Sequence, residues 1–159
     1  MAGSNNGGPT GVLILSPFYE PNVGGVETHL KDLVEALRRR KEYQAWVLTY
    51  QPITTRARGR CYERVGNVRI IRIPWIGLDL FNRLEPYPVL EFLYLTPWLF
   101  LWTFFFLVVR GSGIQAIHAH GLNAALIGRL LGKLFGKRVV VSLHAIYAIK
   151  SRSRFSMIT

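Results

Sequence analysis

Two glycines and three histidines are the residues of this chain whose types and positions could do chemistry. Gly24 and Gly25 follow an apolar run and a proline-containing loop, and they open a helical pattern. Glycine has no Cβ, so a ligand can approach its backbone closely, and the first turn of a helix has amide N–H groups without partners. Such a helix N-terminus suits a phosphate group. The alternative interpretation is a plain turn between a strand and a helix.

The histidines follow the ends of two later strand patterns. His118 and His120 stand in the run Ile-His-Ala-His, before Gly121, and His144 follows a valine-rich run. Alternation along a strand places His118 and His120 on the same side of it. An imidazole in this setting can hydrogen-bond a sugar hydroxyl, a phosphate or a developing charge. Each histidine also has a structural interpretation, which we favour for His118, while for His120 we favour a function.

The charge of the chain indicates an anionic partner. Twenty Lys and Arg against nine Asp and Glu give a net charge of +11, which suits nucleic acid, an acidic membrane or a phosphorylated substrate. No recognisable nucleic-acid module accompanies these charges, so we expect no nucleic-acid partner. Asp32 and Asp79 are the only aspartates and Cys61 is the only cysteine. Clustered oxygen or thiolate ligands are therefore lacking, and we expect no metal.

Length and composition predict one folded domain. The chain has 159 residues, of which 50% are hydrophobic, enough for a single core. Its first residues lack the charged start and apolar core of a secretory signal, and a lone cysteine fits a reducing compartment, so we expect a cytoplasmic protein. We predict a disordered tail at 1–10, the domain at 11–149 and a basic tail at 150–159.

Strand and helix patterns alternate along the chain. The predicted strands are 11–16, 45–50, 62–65, 67–74, 114–120 and 137–143, and the predicted helices are 26–40 and 123–135. The strand at 67–74 has one partly wet face and is expected nearer the sheet edge, whereas 137–143 is expected to be buried. This order predicts an α/β fold: a doubly wound, mostly parallel sheet with helices on both faces.

In such a sheet the glycine pair, His120 and His144 all follow strands, so we expect them at the same edge. Glu27 lies in the first turn of the predicted helix 26–40. Its charge suits the positive end of the helix dipole, an explanation that needs no ligand.

Segment 89–109 is unusually apolar. Its only charged residue is Glu91, it is dense in Leu, Phe and Trp, and Pro97 interrupts it. Three interpretations remain: a buried crossover helix or helix pair, an interfacial element at a lipid surface, and a membrane-spanning helix. Strands on both sides belong to the same predicted sheet, which argues against a span.

Three motifs, taken in order, resemble a known family. They are Pro-Phe-Tyr-x-Pro-x-x-Gly-Gly-Val-Glu, Ile-His-Ala-His-Gly, and a strand ending in Ser-Leu-His. Together they resemble the N-terminal Rossmann-like domain of retaining GT-B glycosyltransferases of family 4. The resemblance implies a nucleotide-sugar enzyme of hexosyltransferase type. By the same resemblance Gly24 and Gly25 approach the donor diphosphate, His120 lies beside the transferred sugar, Glu27 and His144 contact substrate, and the domain mainly binds the acceptor.

Two departures from the family pattern shape the expectation. Ala145 follows His144 where the family usually has glycine, and the family carries a second Rossmann-like domain with a basic pair and a Glu-x7-Glu motif, before which this chain ends. We therefore expect a fragment that lacks its donor-binding domain and is inactive alone. The resemblance implies a retaining, metal-independent transfer. An apolar and basic surface near Trp98 and Arg110 suits a lipid-linked acceptor or an anionic membrane.

Three other functions remain as alternatives. The main one is a non-catalytic, peripheral membrane-binding module on a Rossmann scaffold. A nicotinamide dehydrogenase is disfavoured because the first loop lacks Gly-x-Gly-x-x-Gly. A metal hydrolase that uses His118, His120 and His144 lacks a clear carboxylate or fourth ligand.

Overall fold

The computed structural model describes residues 8–75, 78–84 and 86–143. The strands are β1 (Thr10–Leu15), β2 (Tyr43–Tyr50), β3 (Tyr62–Val65), β4 (Val68–Ile73), β5 (Ala116–His120) and β6 (Arg138–Ser142). The helices are α1 (Gly25–Arg38), α2 (Leu78–Leu84), α3 (Pro88–Arg110) and α4 (Leu122–Phe135), with a short 3-10 helix at Gly111–Gly113.

The six strands form one sheet in the order β3-β4-β2-β1-β5-β6. All neighbouring pairs are parallel except β3 and β4, which are antiparallel. The chain first builds outward from β1 to β2 and β4, and then returns to the other side of β1 with β5 and β6. The predicted α/β, doubly wound and mostly parallel sheet is therefore confirmed, and its direction of winding reverses between β1 and β5.

Helices cover both faces of the sheet. On one face α1 packs through Leu30 and Val34, which fall one turn apart and contact the cluster around Ile14 and Val47. On the other face α3 and α4 pack against a larger cluster that contains Leu13, Leu95 and Ile127, among other residues. Each fully buried aliphatic side chain contributes roughly 1.5–3 kcal/mol by leaving water. The buried residues of the helices therefore hold them against the sheet.

Helix α3 combines a buried stripe with a broad exposed apolar surface. Leu95, Leu99, Thr103 and Leu107 recur every fourth residue and are buried against the core. The helix is long and apolar enough to cross a membrane by length and composition. Its buried residues instead pack against the core on the sheet. Along the chain α3 connects β4 with β5, as in the crossover interpretation. The remaining surface is open, and Phe105 is 60% exposed.

The structure differs from the sequence predictions for one strand and for one helix. Strand β6 was predicted to be buried, which is wrong, because Val140 and Val141 are 54% and 45% exposed. In the described residues β6 is an edge strand that pairs only with β5, and no described segment fully covers its side chains Val140 and Val141. In addition, helix α2, which precedes the apolar segment 89–109, was not predicted.

The domain limits remain predictions for the most part. Strand β1 begins at Thr10, one residue inside the tail predicted for 1–10. Most of that tail, the predicted end of the domain at 149 and the basic tail at 150–159 lie outside the described residues.

Candidate functional site

The loop from β1 to α1 is shaped by its own polar side chains. Ser16 Oγ donates to the carbonyl of Phe18 at 2.8 Å and accepts from its N–H. Asn22 Nδ2 donates to the carbonyl of Tyr19 at 3.0 Å. Gly24 then caps α1 without a side-chain hydrogen bond, and the helix begins at Gly25. The loop thus delivers the N-terminus of a fourteen-residue helix to the carboxyl edge of the sheet.

The two glycines of this loop have different surroundings. A Cβ added at Gly24 would lie 2.5 Å from Oε2 of Glu27, whereas one added at Gly25 would meet nothing within 4 Å. A side chain at Gly24 would therefore have to displace the Glu27 carboxylate, which folds back over it. Gly25 instead faces open space beside the first amide groups of the helix, where an anion could approach.

Glu27 is largely buried, with 9% of its surface exposed. It is the third residue of the helix, the position from which a glutamate reaches back toward the cap. A carboxylate there also complements the helix dipole. The structure therefore supports the structural explanation of Glu27, whose carboxylate lies beside Gly24, while the space beside Gly25 is open.

The histidines lie where β5 ends. The ring centroids of His118 and His120 are 4.2 Å apart, which confirms that both point to the same side of the strand. His118 Nε2 is 2.9 Å from Ser142 Oγ on β6, a contact that supports a structural role for His118. His120 is buried, with 1% of its surface exposed, and His144 lies outside the described residues.

His29 was not singled out from the sequence. Its ring centroid is 5.9 Å from that of His120, and unlike His120 it is exposed. His29 follows Gly25 by one helical turn, so a histidine near the start of a helix that begins at the sheet edge was the available signal. We call the segment between β1 and α1, which carries Gly24 and Gly25, the glycine loop. His29, on α1, and His120, on β5, lie between this loop and the end of β5, where the winding of the sheet reverses. Ligands of open α/β sheets bind at such points.

Arg72, on β4, holds the loop between β1 and α1, although β2 lies between β1 and β4 in the sheet. Its Nε donates to the carbonyl of Glu20 at 3.0 Å, and its Nη1 donates to the carbonyl of Arg60 at 3.0 Å and to Glu63 Oε2 at 2.9 Å. Its guanidinium also lies 5.7 Å from the ring centre of Tyr19. The partly wet face predicted for this strand is the side of Arg69 and Ile71, which are half-buried, whereas Arg72 lies on the other side and is buried. The loops before α1 and after β2 cover it.

A second link joins the same two loops. Asn22 Oδ1 accepts hydrogen bonds from the N–H and the hydroxyl of Thr54, at 3.2 and 2.6 Å. Beside them, burial raises the pKa of Tyr19 to about 12, and the adjacent Glu20 charge adds to the effect. The loop that carries Gly24 and Gly25 is therefore anchored to residues 51–61.

The sequence matches the family described as "Glycosyl transferase 4-like domain" over residues 24–157. The match covers most of the chain. This chain belongs to the glycosyl transferase 4-like domain family. The resemblance inferred from its three motifs is thereby confirmed, and the glycine pair, His120 and His29 lie in a glycosyltransferase-family domain.

Solved structures show the same fold. Two structures of sucrose-phosphate synthase from Thermosynechococcus elongatus align with 86% of this chain at 17% identity, with TM-scores of 0.55 and 0.50. The aligned part is 33% of the chain in the first structure and 64% in the second. The present chain thus spans about a third of the length of the first enzyme. No curated protein matches the chain significantly.

Metal ligands were not expected in this glycosyltransferase-family domain. Within the ranges that the structure describes, no three His, Cys, Asp or Glu side chains are grouped so that they could hold a metal ion. The expectation of a metal-independent reaction stays a prediction.

Proposed function

We propose that this chain is the acceptor-side domain of a nucleotide-sugar-dependent, retaining glycosyltransferase of hexosyltransferase type. One observation carries the proposal: the open N-terminus of α1 at Gly25 and the pair His29 and His120 lie together at the reversal point of the sheet. Amide groups there would bind a diphosphate, and imidazoles would hydrogen-bond the sugar. A C-terminal donor-binding domain would complete the site, so the domain alone would be inactive.

In this proposal each group has a stated role. The backbone at Gly25 and the dipole of α1 would stabilise the leaving diphosphate by fixed donors, in place of a metal. His120 would donate to or accept from a sugar hydroxyl, held in orientation by the neighbouring rings. His144 remains part of the proposal as a substrate contact. Glu27 would act indirectly, by fixing the helix end.

Nucleotide binding tests the glycine loop. The side chain of Gly25→Val would enter space that is empty in the structure, and position 25 has an ordinary helical backbone. The variant should therefore fold as the native chain does. We expect nucleoside diphosphates to bind the native chain and the binding to weaken by roughly tenfold in Gly25→Val. Gly113→Val is the matched control, since a Cβ there also meets nothing within 4 Å. Equal affinity in all three proteins would refute the phosphate role.

Sugar transfer tests the histidines once a donor-binding domain is joined to the chain. We expect His120→Ala to lower transfer strongly, His29→Ala to lower it less, and a chelator to leave it unchanged. Retention of configuration is read from the anomeric signals of the product by NMR. Full transfer in His120→Ala, inversion at the anomeric carbon, or loss of transfer with the chelator would each contradict the corresponding part of the proposal.

We further propose that the acceptor is lipid-linked or lies at a membrane, on the cytoplasmic side. The exposed side of α3 supports this: its apolar residues are uncovered over the length of the helix, among them Leu93 (59%), Phe105 (60%) and Val109 (73%). Tryptophans such as Trp98 and Trp102 suit the boundary of a bilayer, and the net charge of +11 suits anionic lipid. A lipid surface would cover what the sheet leaves open.

Vesicle co-sedimentation tests the membrane part. We expect the chain to sediment with vesicles of phosphatidylcholine and phosphatidylglycerol, and Leu93→Gln/Phe105→Gln to stay largely in the supernatant. Both positions are exposed, so the substitutions should not unfold the chain. A native chain that stays in solution would refute membrane binding. Sedimentation without any sugar transfer by the completed protein would instead favour the non-catalytic membrane-binding module.

A further inference from the structure

A cavity lies at the carboxyl ends of β2 and β4. Its volume is about 460 Å³, within the usual range for small-molecule sites. One wall is the segment 51–61, which we call the basic loop, and the other wall is Pro74 and Trp75. The lining includes two arginines, Arg56 and Arg58, and no acidic residue. We call this space the arginine cavity.

The arginines of the cavity are not committed to other groups. In the described part of the chain neither Arg56 nor Arg58 forms an ion pair, whereas Arg38, Arg39 and Arg72 each have one. Guanidinium groups bind phosphate oxygens through paired hydrogen bonds. Two unpaired guanidinium groups in a concave space without carboxylates therefore indicate an anion.

The backbone of the basic loop is held in place on both sides of these arginines. The amide of Gln51 donates to the carbonyl of Gly59 at 3.0 Å and accepts from its N–H at 3.2 Å. A Cβ at Gly59 would lie 2.6 Å from Arg72 Nε, so the loop rests directly on the buried arginine. The fold thus anchors the loop that carries Arg56 and Arg58 at both of its ends.

The aromatic wall of the cavity leads to the exposed surface of α3. Trp75 lies 6.3 Å from Trp98, which lies 6.2 Å from Trp102, measured between ring centres. Trp98 Nε1 also donates to the carbonyl of Pro74 at 3.3 Å. Trp98 and Trp102 are 40% and 39% exposed. An anionic group and an apolar chain of the same molecule could therefore bind side by side.

We infer that the arginine cavity binds a phosphate ester, and that this ester belongs to the acceptor. The inference rests on the proposed function and adds the site and chemical class of the acceptor: Arg56 and Arg58 hold the phosphate, and the tryptophans of α3 contact its apolar part. The cavity is linked to the glycine loop through Arg72 and Asn22, so acceptor and donor sites share one support.

Binding of defined phosphates to the full chain tests the inference. Inorganic phosphate and glycerol phosphate are titrated by calorimetry, and phosphatidylcholine vesicles with and without phosphatidic acid are compared by co-sedimentation. We expect Arg56→Gln/Arg58→Gln to weaken phosphate binding by roughly tenfold or more. Both side chains are exposed, so folding should be unaffected. Arg38→Gln/Arg39→Gln, on α1 across the sheet, removes the same charge and should bind as the native chain does.

The outcomes separate the sources of the phosphate and the two proposals. Binding of glycerol phosphate that depends on Arg56 and Arg58 supports a soluble ester, and a dependence seen only with phosphatidic acid supports a lipid headgroup. No binding in either arm, or equal losses in both double variants, overturns the inference. If the chain then still sediments with neutral vesicles, the proposed contact of α3 with a membrane remains supported. Phosphate binding that persists when vesicle binding is absent would refute the membrane contact alone.

Discussion

Replacing Arg72 by methionine should separate the energetics of a buried ion pair from those of an exposed one. The Arg72 side chain is 4% exposed and that of its partner Glu63 is 38% exposed. Methionine keeps much of the apolar stem, so the loss comes mainly from the hydrogen bonds of the guanidinium. Two carbonyls, of Glu20 and Arg60, lose their donor.

The expected cost follows from those two carbonyls. Leaving a buried acceptor without a partner costs about 1–3 kcal/mol. Both hydrogen bonds are only partly buried, so Arg72→Met should lower the free energy of unfolding by about 2–4 kcal/mol, the lower part of the range for two acceptors. Glu63 should add little, because its partly exposed carboxylate can be hydrated again. The glycine loop should also loosen, so nucleoside diphosphates should bind more weakly although Gly25 is unchanged.

Urea unfolding followed by circular dichroism measures this cost. The matched control is Arg38→Met, which removes an exposed arginine whose Nη2 lies 2.6 Å from Glu35 Oε1 and should have a much smaller effect. Equal losses of stability in the two variants would show that burial of Arg72 does not matter. Unchanged nucleotide affinity in Arg72→Met would show that it does not support the loop.

Three further predictions concern packing, a loop anchor and pH. Gly132→Ala should lower the free energy of unfolding by about 1–3 kcal/mol, since its Cβ would lie 2.3 Å from Val139 Cγ2. Thermal melts measure this loss. The control is Gly113→Ala, whose Cβ would meet nothing within 4 Å, and a loss no larger than that of the control would contradict the prediction. Asn67→Ala should cost about 1–3 kcal/mol, because Nδ2 lies 2.7–2.9 Å from three backbone carbonyls, from the end of α1 to the start of β2, which share its two N–H groups. Urea unfolding of this variant and of Asn67→Asp measures the cost, and no loss in either variant would show these hydrogen bonds to be unimportant. The pKa of Tyr19 is raised from 10.0 to about 12, so the folded state keeps this proton at a pH where the unfolded state has lost it. The free energy of unfolding should therefore fall as pH rises between these two values. Tyr19→Phe should remove that part of the fall, and identical curves of stability against pH for the two proteins would refute the assignment.

The order of strands and helices could be predicted because it depends on local patterns. Continuous or nearly continuous apolar runs marked β1 and β2, alternation marked β5, and helical spacing marked α1 and α4 to within three residues at each end. The glycine pair and His120 were found because they directly follow strands, and carboxyl ends of parallel strands share an edge whatever the details of packing.

Other features depended on contacts between distant segments. Arg69 and Arg72 lie on opposite faces of β4, and Arg72 is buried because two loops fold over it. The exposure of Val140 depends on which segments pack over β6, which its own residues do not encode. His29 became a candidate only when α1 was seen to bring it near His120.

The sequence by itself determined the fold class, the family motifs and the placement of the glycine loop, because periodicity and turn residues act over short stretches of chain. Only the tertiary structure decided that Glu27 covers Gly24, that Arg72 supports two loops, and that Arg56 and Arg58 face a cavity. Those facts depend on burial and on side chains that meet across the sheet. Such contacts are set by packing among segments far apart in the sequence, which a local pattern does not contain.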